Sequence, residues 1–412
     1  MKAMLRTFVM LCLAPLLFLL GGLPALLHTG QVDPGAWAWP ALALIPIAFA
    51  LSIWRGSLHA VWAGVGSFGV MLLFLLLASG RWPAPPALVF PGIILLLAIV
   101  SGLLLARRLG PGLLLGAVAI LSCWLSAERP VARTPGPRPV VTVISALPLF
   151  WREGVDGTEA RADAPIIAVL RQRFDIRPID SPLSPLMREA SLLFLAQPRA
   201  LSPGELIALD AWVRRGGHML ILADPLLRWP SPLPLGDRRR APAVNMLDPL
   251  FRRWGVELLQ PTGAGEDRRM LSDQRLLTTM AASTFHAHHG SACQIEENGL
   301  FARCTLERGK ALLVADADLI DDRLWLADAD ASLDMRQWTA DTPSLIIQEL
   351  GGGRLAARSW LRSMEQLIVA LRYAMVAGIV WALLGSLFLR SRHAGFAPQL
   401  GRATLSERLE LK

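Results

Sequence analysis

The chain has 412 residues, 53% of them hydrophobic and only 18% charged, with a mean hydropathy of +0.44. A soluble domain carries about a quarter charged residues, so part of this chain belongs in lipid; disorder, coiled coil and a disulfide-dense mini-protein are excluded. The formal charge of +8, from 41 basic and 33 acidic residues, invites a nucleic-acid reading until those charges are located.

Five apolar runs fill the first third of the chain, at residues 7–27, 37–54, 59–79, 88–106 and 109–127, and a sixth lies at 366–389. Each is close to the ~20 residues that cross a ~30 Å hydrocarbon core as a helix. Trp37, Trp39, Trp54, Trp82, Trp124 and Trp360 sit at or beside run ends, where indole rings favour the headgroup region. The runs predict a polytopic α-helical membrane bundle of about six spans, five within 1–127 and one at 366–389. Lys2 and Arg6 before the first run leave open that it is a cleaved signal peptide. Runs one to five hold no Asp, Glu, Lys or Arg, the usual marks of ion paths and proton relays. The bundle therefore reads as an anchor or docking surface.

Short loops set the orientation. Lys2 and Arg6, then Arg55, then Arg107 and Arg108, then Arg390, Arg392, Arg402, Arg408 and Lys412 fall on alternate sides in register. Arg81 is the one basic residue in the opposite loops. The positive-inside rule puts both termini and the 390–412 tail in the cytoplasm, and residues 128–365 outside, which is the periplasm of a Gram-negative cell. The use of 38 Arg against 3 Lys points to a GC-rich bacterial genome, and so to a bacterial inner membrane. Residues 128–365 hold 29 basic and 30 acidic residues, so the positive excess lies in the membrane part and the tail. The nucleic-acid reading lapses, and membrane lipid is the expected neighbour.

Pro130, Pro135, Pro137 and Pro139 make 128–139 a stiff linker. From 140 to 365 strands and helices alternate. VVTVIS at Val140–Ser145 is a buried-strand run, 165–174 has helical periodicity, and 176–179 and Leu192–Ala196 are further strands. Ser202-Pro203-Gly204-Glu205 is a capping box with proline at the first helical position. An apolar face from Leu206 to Val213 follows, and Gly216 and Gly217 stop the helix. A strand at 219–223 ends at Asp224-Pro225, with a helix over 245–254 and a strand over 256–259 behind it. This alternation predicts a mostly parallel sheet covered on both faces, a flavodoxin-like three-layer α/β domain outside the membrane.

A β-hairpin insertion then interrupts the pattern, with 292–297 and 300–306 flanking Asn298-Gly299. That turn pairs Glu297 with Leu300, and counting outward sets Cys293 opposite Cys304, within disulfide range. An extracytoplasmic setting favours the bridge over two unpaired small hydrophobes.

Two stretches carry a family resemblance. They are LSPGELIALDAWVRRGGHMLILADP at 201–225 and RGKALLVADADLIDD at 308–322, the second followed by TPSLIIQELGG at 342–352. In them the sequence resembles the auxiliary components of uncharacterised ABC-type transport systems, named for gliding motility, and their membrane-anchored relatives. The resemblance implies a domain like a class I glutamine amidotransferase fold without its enzyme activity, in an accessory subunit beside ABC permease and ATPase subunits. Relatives often have one span before the domain, whereas this chain has five apolar runs there.

Candidate chemistry is sparse. An amidotransferase-type triad needs a Cys nucleophile on a strand-to-helix elbow, but the strand at Leu192–Ala196 runs into Gln197-Pro198-Arg199. No phosphate loop of Walker type occurs. His286, His288 and His289 are possible transition-metal ligands, but no Asp or Glu lies within six residues and a solvated loop is the favoured reading. Arg238, Arg239 and Arg240 follow a Pro-rich stretch and read as a solvated loop, or as a contact for anionic lipid or a partner. Asp224, Asp316 and Asp318 are the most informative: Asp224 and Asp316 end predicted strands, where open α/β sheets bind ligands. The plainer role is to cap the following turn. If they act together, they must face one crevice. The sequence thus points to a non-enzymatic inner-membrane auxiliary subunit with no cofactor. The alternative is a polytopic membrane enzyme using carboxylate or metal chemistry at the Asp-rich strand ends.

Overall fold

A computed structural model describes residues 2–153, 159–234 and 236–394. The tail expected at 390–412 lies outside the described residues from 395 onward. The chain divides into two compact units, residues 1–127 with 358–412, and residues 128–357.

The first unit is helical: α1 (Lys2–Thr29), α2 (Ala38–Leu42), α3 (Leu44–Arg55), α4 (Ser57–Ser79), α5 (Pro85–Leu105), α6 (Leu109–Leu125) and a C-terminal helix (Met364–Ala394). Four of the described helices are long and apolar enough to cross a membrane: α1, α4, α5 and the C-terminal helix. The second apolar run is broken instead of continuous, since α2 and α3 meet at a 50° bend. Pro46 sits in the first turn of α3 and has no N–H to return to the preceding helix, which is the usual cause of such a break. The fifth run gives α6, whose 17 residues make it shorter than the other four.

Helix contacts in this unit depend on glycine. The indoles of Trp62 on α4 and Trp381 on the C-terminal helix stack with centroids 4.4 Å apart. Each indole N–H donates to the other residue's carbonyl, at 3.1 and 2.9 Å. A Cβ on Gly66 would lie 2.2 Å from the Trp381 ring, and one on Gly385 2.3 Å from Trp62. Two missing side chains make room for the two largest ones, as close-packed helices in lipid require.

The second unit starts with β1 (Val140–Ser145), β2 (Trp151–Glu153), β3 (Glu159–Arg161), α7 (Pro165–Leu170), β4 (Asp175–Pro178), β5 (Leu192–Ala196) and α8 (Pro203–Arg214). Next come β6 (His218–Leu222), α9 (Asp248–Trp254), β7 (Val256–Leu258), β8 (Glu266–Met270), β9 (Leu276–Met280) and β10 (Phe285–Ala287). It ends with β11 (Cys293–Glu296), β12 (Phe301–Leu306), β13 (Gly309–Val314), α10 (Asp322–Trp325) and α11 (Thr342–Glu349). Seven strands form one sheet in the order β11-β12-β13-β6-β5-β1-β4. The five from β13 to β4 are parallel, and counted along the chain they lie in the order 2-1-3-4-5. The near-continuous apolar runs of β1, β5, β6 and β13 are buried along almost their whole length, as a sheet covered on both faces demands, while the edge strand β4 buries only Ile176.

Several expectations need correcting. The hairpin is no interruption: β12 pairs antiparallel with β13, and β11 with β12, so it extends the same sheet at one edge. Its loop spans residues 297–300, with positive φ at Glu297, Asn298 and Gly299, in place of a two-residue turn. Both loops give one register, because each is symmetric about the same point, and Cys293 still faces Cys304. β7 leaves the main sheet and pairs with β10. The stiff segment at 128–139 is held at its start, with Arg129 N–H donating to Asp334 Oδ1 at 2.8 Å and Val131 N–H to Leu333 O at 2.9 Å. α9 starts at Asp248, later than its apolar pattern, because Asn245 closes a turn onto Leu247 N–H and Pro249 fits the first helical turn, where its missing N–H costs nothing.

The capping box at Ser202 and Glu205 forms as read. α8 then ends at Gly216, whose φ of +115° favours glycine. Here the backbone is very close. A Cβ on Gly217 would lie 2.4 Å from the Trp212 ring, and one on Gly309 only 1.8 Å from Val213 O. Glycine at 309 therefore lets β13 begin directly against the end of α8.

Candidate functional site

β6 and β13 run side by side in a register pairing His218 with Lys310 through to Leu222 with Val314. Ala223 N–H extends it by donating to Val314 O at 3.0 Å. Two residues past each strand, the same register sets Asp224 level with Asp316. Asp318 opens the short turn that follows, Asp318–Ile320. One oxygen from each of Asp224, Asp316 and Asp318 lies within 4.8 Å of the others, and the three residues are 0, 0 and 1% exposed. The fold brings the three together in the interior, whereas the sequence reading has Asp224 and Asp316 facing one crevice.

The backbone is folded to serve this group. Asp316 accepts from Met280 N–H at 2.8 Å and from Leu319 N–H at 3.1 Å, one on each oxygen. Leu226 N–H donates to Asp224 Oδ1 at 2.7 Å, and Arg228 N–H to Asp318 Oδ2 at 2.6 Å. The remaining oxygens, Asp224 Oδ2 and Asp318 Oδ1, are buried and have no hydrogen bond of ordinary geometry among the described residues. Burial pushes Asp224 up to about 6, against the N–H donors of Leu226 and Ala317. It pushes Asp318 up to about 7, against Arg228 N–H and with the help of the Asp224 charge. Asp316 is held well above the carboxylate range, by burial first and then by the charges of Asp224 and Asp318.

Gln197, at the tip of β5, was read from sequence only as the residue standing where a nucleophile would be. Its backbone has φ 41°, its Oε1 accepts Asp224 N–H at 2.9 Å, and its Nε2 donates to the carbonyls of Asp224 and Pro242, both at 3.0 Å. It holds the strand end that carries Asp224. No local pattern reveals this, nor the Met280 donor, which arrives from β9 outside the main sheet. Beyond Arg228 the chain forms one wall of a cleft of about 560 Å³, where Pro230, Ser231 and Pro232 face Pro148, Trp151 and Asp322.

The other candidates lie apart. Arg239 pairs with Asp237 at 3.0 Å and Arg240 donates to Leu233 O at 2.8 Å, while Arg199 donates to the carbonyls of Arg238 and Arg239. The run at Arg238 is thus a folded, self-bonded turn. His286, His288 and His289 are exposed, the first two with rings 5.5 Å apart. Pairing of β10 with β7 brings Glu257 opposite His286, and its Oε2 lies 3.8 Å from His288 Nε2, a neighbour that sequence distance hides. Cys293 and Cys304 are joined, with S–S 1.93 Å, which withdraws Cys293 from any metal role beside those histidines. Asp321, Asp328 and Asp334 cap short turns through Arg323, Asp330 and Arg336 N–H.

Residues 138–262 match the model of a family described as an ABC-type uncharacterized transport system. The match takes in β1 to β7 and Asp224, and stops before Asp316. No curated protein matches the chain. Among solved structures it is similar to an exo-β-1,4-mannosidase from Opitutaceae bacterium strain TAV5, at 14% identity and TM-score 0.27, over 50% of this chain and 34% of that one. It is similar to a β-galactosidase from Bacillus circulans sp. alkalophilus at 14% identity and TM-score 0.28, over 52% and 33%. A cytoplasmic protein from Salmonella typhimurium LT2 matches at 12% identity and TM-score 0.32, over 53% of this chain and 100% of that one. The chain spans about a third of the length of the two glycosidases, and likenesses at these TM-scores carry no argument about chemistry.

Proposed function

We propose that the chain is a non-enzymatic auxiliary subunit of an ABC-type transport system in a bacterial inner membrane, with six spans and its α/β unit on the periplasmic side. The observation that carries this reading is the family match over residues 138–262, which suggests association with a transport system. Four apolar helices of spanning length fit a membrane protein. The alternation of basic loops supports the orientation. The 2-1-3-4-5 order of parallel strands supports the flavodoxin-like and amidotransferase-like description of the displayed unit. Gln197 supports the lack of hydrolase chemistry, because its amide is committed to backbone where a nucleophile would stand.

Affinity purification of the full chain in mild detergent tests the proposal. Recovery of an ABC permease and its ATPase is expected. Recovery of neither, from membranes cross-linked before extraction, overturns it. A reporter joined at Gly236 that is active only in the cytoplasm overturns the orientation separately. A second reading, a membrane enzyme with carboxylate or metal chemistry, is favoured by the three-aspartate group. That group is at most 1% exposed, which suits a bound ion better than a reacting substrate.

A further inference from the structure

The three aspartates at the ends of β6 and β13 use no cysteine or histidine, touch no basic side chain through the bonds described above, and sit in the interior. Three carboxyl groups offer six oxygens. Four of them accept backbone N–H groups, from Met280, Leu319, Leu226 and Arg228. Donors of this kind favour the ionised form, so the peptide backbone is arranged for negative charge. Asp316 has one N–H donor on each oxygen, and each oxygen keeps a second lone pair facing the other two residues' carboxyl groups. The other two oxygens, Asp224 Oδ2 and Asp318 Oδ1, are buried and have no hydrogen bond of ordinary geometry among the described residues, with Ala317 N–H and the Asp318 carboxyl the groups beside Asp224. Unanswered buried charge of this density is costly, and proteins meet it by pairing or by coordinating a metal.

We infer that Asp224, Asp316 and Asp318 form a binding site for a hard divalent cation, Ca2+ or Mg2+. One oxygen from each residue falls within 4.8 Å of the others, a span that one ion bridges when its bonds to oxygen are about 2.1–2.5 Å. An all-oxygen set selects calcium or magnesium over the transition metals that imidazole and thiolate prefer. The two orphaned oxygens supply the ligands that hydrogen bonding leaves over. Arg228, whose N–H holds Asp318, stands two residues before the Pro230–Pro232 wall of the cleft. The ion's role is structural. It ties the ends of two central strands to the turn after β13, and through Arg228 to the cleft wall. The site stands whether or not the chain serves a transporter.

The test uses the full chain in mild detergent, stripped with EDTA and then given calcium chloride or magnesium chloride alone. Thermal unfolding and elemental analysis are read together. Saturating one ion at about 100 times its dissociation constant is expected to raise the unfolding temperature by about 5–10 °C. Whichever of the two salts gives the larger shift identifies the ion. Asp224→Asn and Asp318→Asn are each expected to lose the shift and the bound metal, while the exposed Asp330→Asn keeps both. If Asp224→Asn fails to fold, Asp318→Asn alone decides. The proposal is overturned if neither ion shifts the wild type and no metal is retained. It is equally overturned if both site variants still bind the ion.

Discussion

Two buried acidic sites in the same α/β unit have opposite constructions. Asp210 on α8 is 4% exposed and fully answered: Arg214 Nε reaches it at 3.1 Å, Arg253 Nε at 2.7 Å and Trp254 Nε1 at 2.9 Å. Burial raises its pKa, but the donors from Arg214, Trp254 and Arg253 outweigh that and hold it below the usual value. Asp224, Asp316 and Asp318 are buried more deeply, are hydrogen-bonded by backbone N–H groups with no ion pair to the nearby Arg228 and Arg323 among the described residues, and have two oxygens left over. The two sites differ in depth and, more sharply, in partnership. Burial makes a carboxylate expensive, and the neighbours decide whether the cost is met by cations of the protein or left for something else.

The largest contrast is expected on the pH axis, because Asp224 and Asp318 respond together. Their folded values, about 6 and about 7, lie above the unfolded value of roughly 3.9. Groups raised in this way bind more protons folded than unfolded. Their favourable contribution is therefore complete below about pH 4 and is lost as pH climbs through 6 and 7. In EDTA, unfolding temperature should fall between pH 5 and pH 8. Asp210 has the opposite sign, and its contribution disappears only as pH drops below the carboxylate range. A flat profile from pH 5 to 8 would erase the distinction.

Substitution comes next. Asp210→Ala strands a buried indole N–H and two guanidinium partners, and should cost about 2–3 kcal/mol by chemical denaturation. Arg253 is 64% exposed, which keeps the figure from rising further. Asp224→Asn should do the reverse in EDTA. It removes one charge and places an amide donor among oxygens that lack one, for a gain of about 1 kcal/mol. Loss of stability there would mean that the two orphaned oxygens are answered in another way. Smallest of all, Asp330→Asn at an exposed turn should stay within about 0.5 kcal/mol.

Reading the chain alone went furthest where the signal was local. β1 and β5 were legible to the residue because their apolar runs are bounded on both sides, and the capping box marked the start of α8. Asp224 and Asp316 were legible as a pair because both end strands of one parallel sheet. What was hidden depends on contacts between distant segments. The β11–β12 hairpin looked like an insertion because sequence shows its turn and not its neighbour β13. β8 is EDRRM, almost wholly exposed, and carries no strand pattern, yet with β9 it delivers Met280 N–H to Asp316. Glu257 lies far outside the six-residue window around the histidines, and the pairing of β7 with β10 brings it beside His288. The apolar run at 37–54 was long enough to be one span, and hydropathy does not register the bend between α2 and α3.

The tight fit of Gly309 against α8 turns β6 and β13 into a length-matched pair. Gly217 stands seven positions before Asp224, and Gly309 seven positions before Asp316. One end of the pair is closed by glycine against backbone and the other by carboxylate beside carboxylate. A single-residue deletion in either strand slides one aspartate out of level and turns its side chain to the opposite face of the sheet. The same deletion made in both strands returns the two aspartates to level. Spacing within each stretch is therefore free to change only in step with spacing in the other, nearly a hundred residues away along the chain.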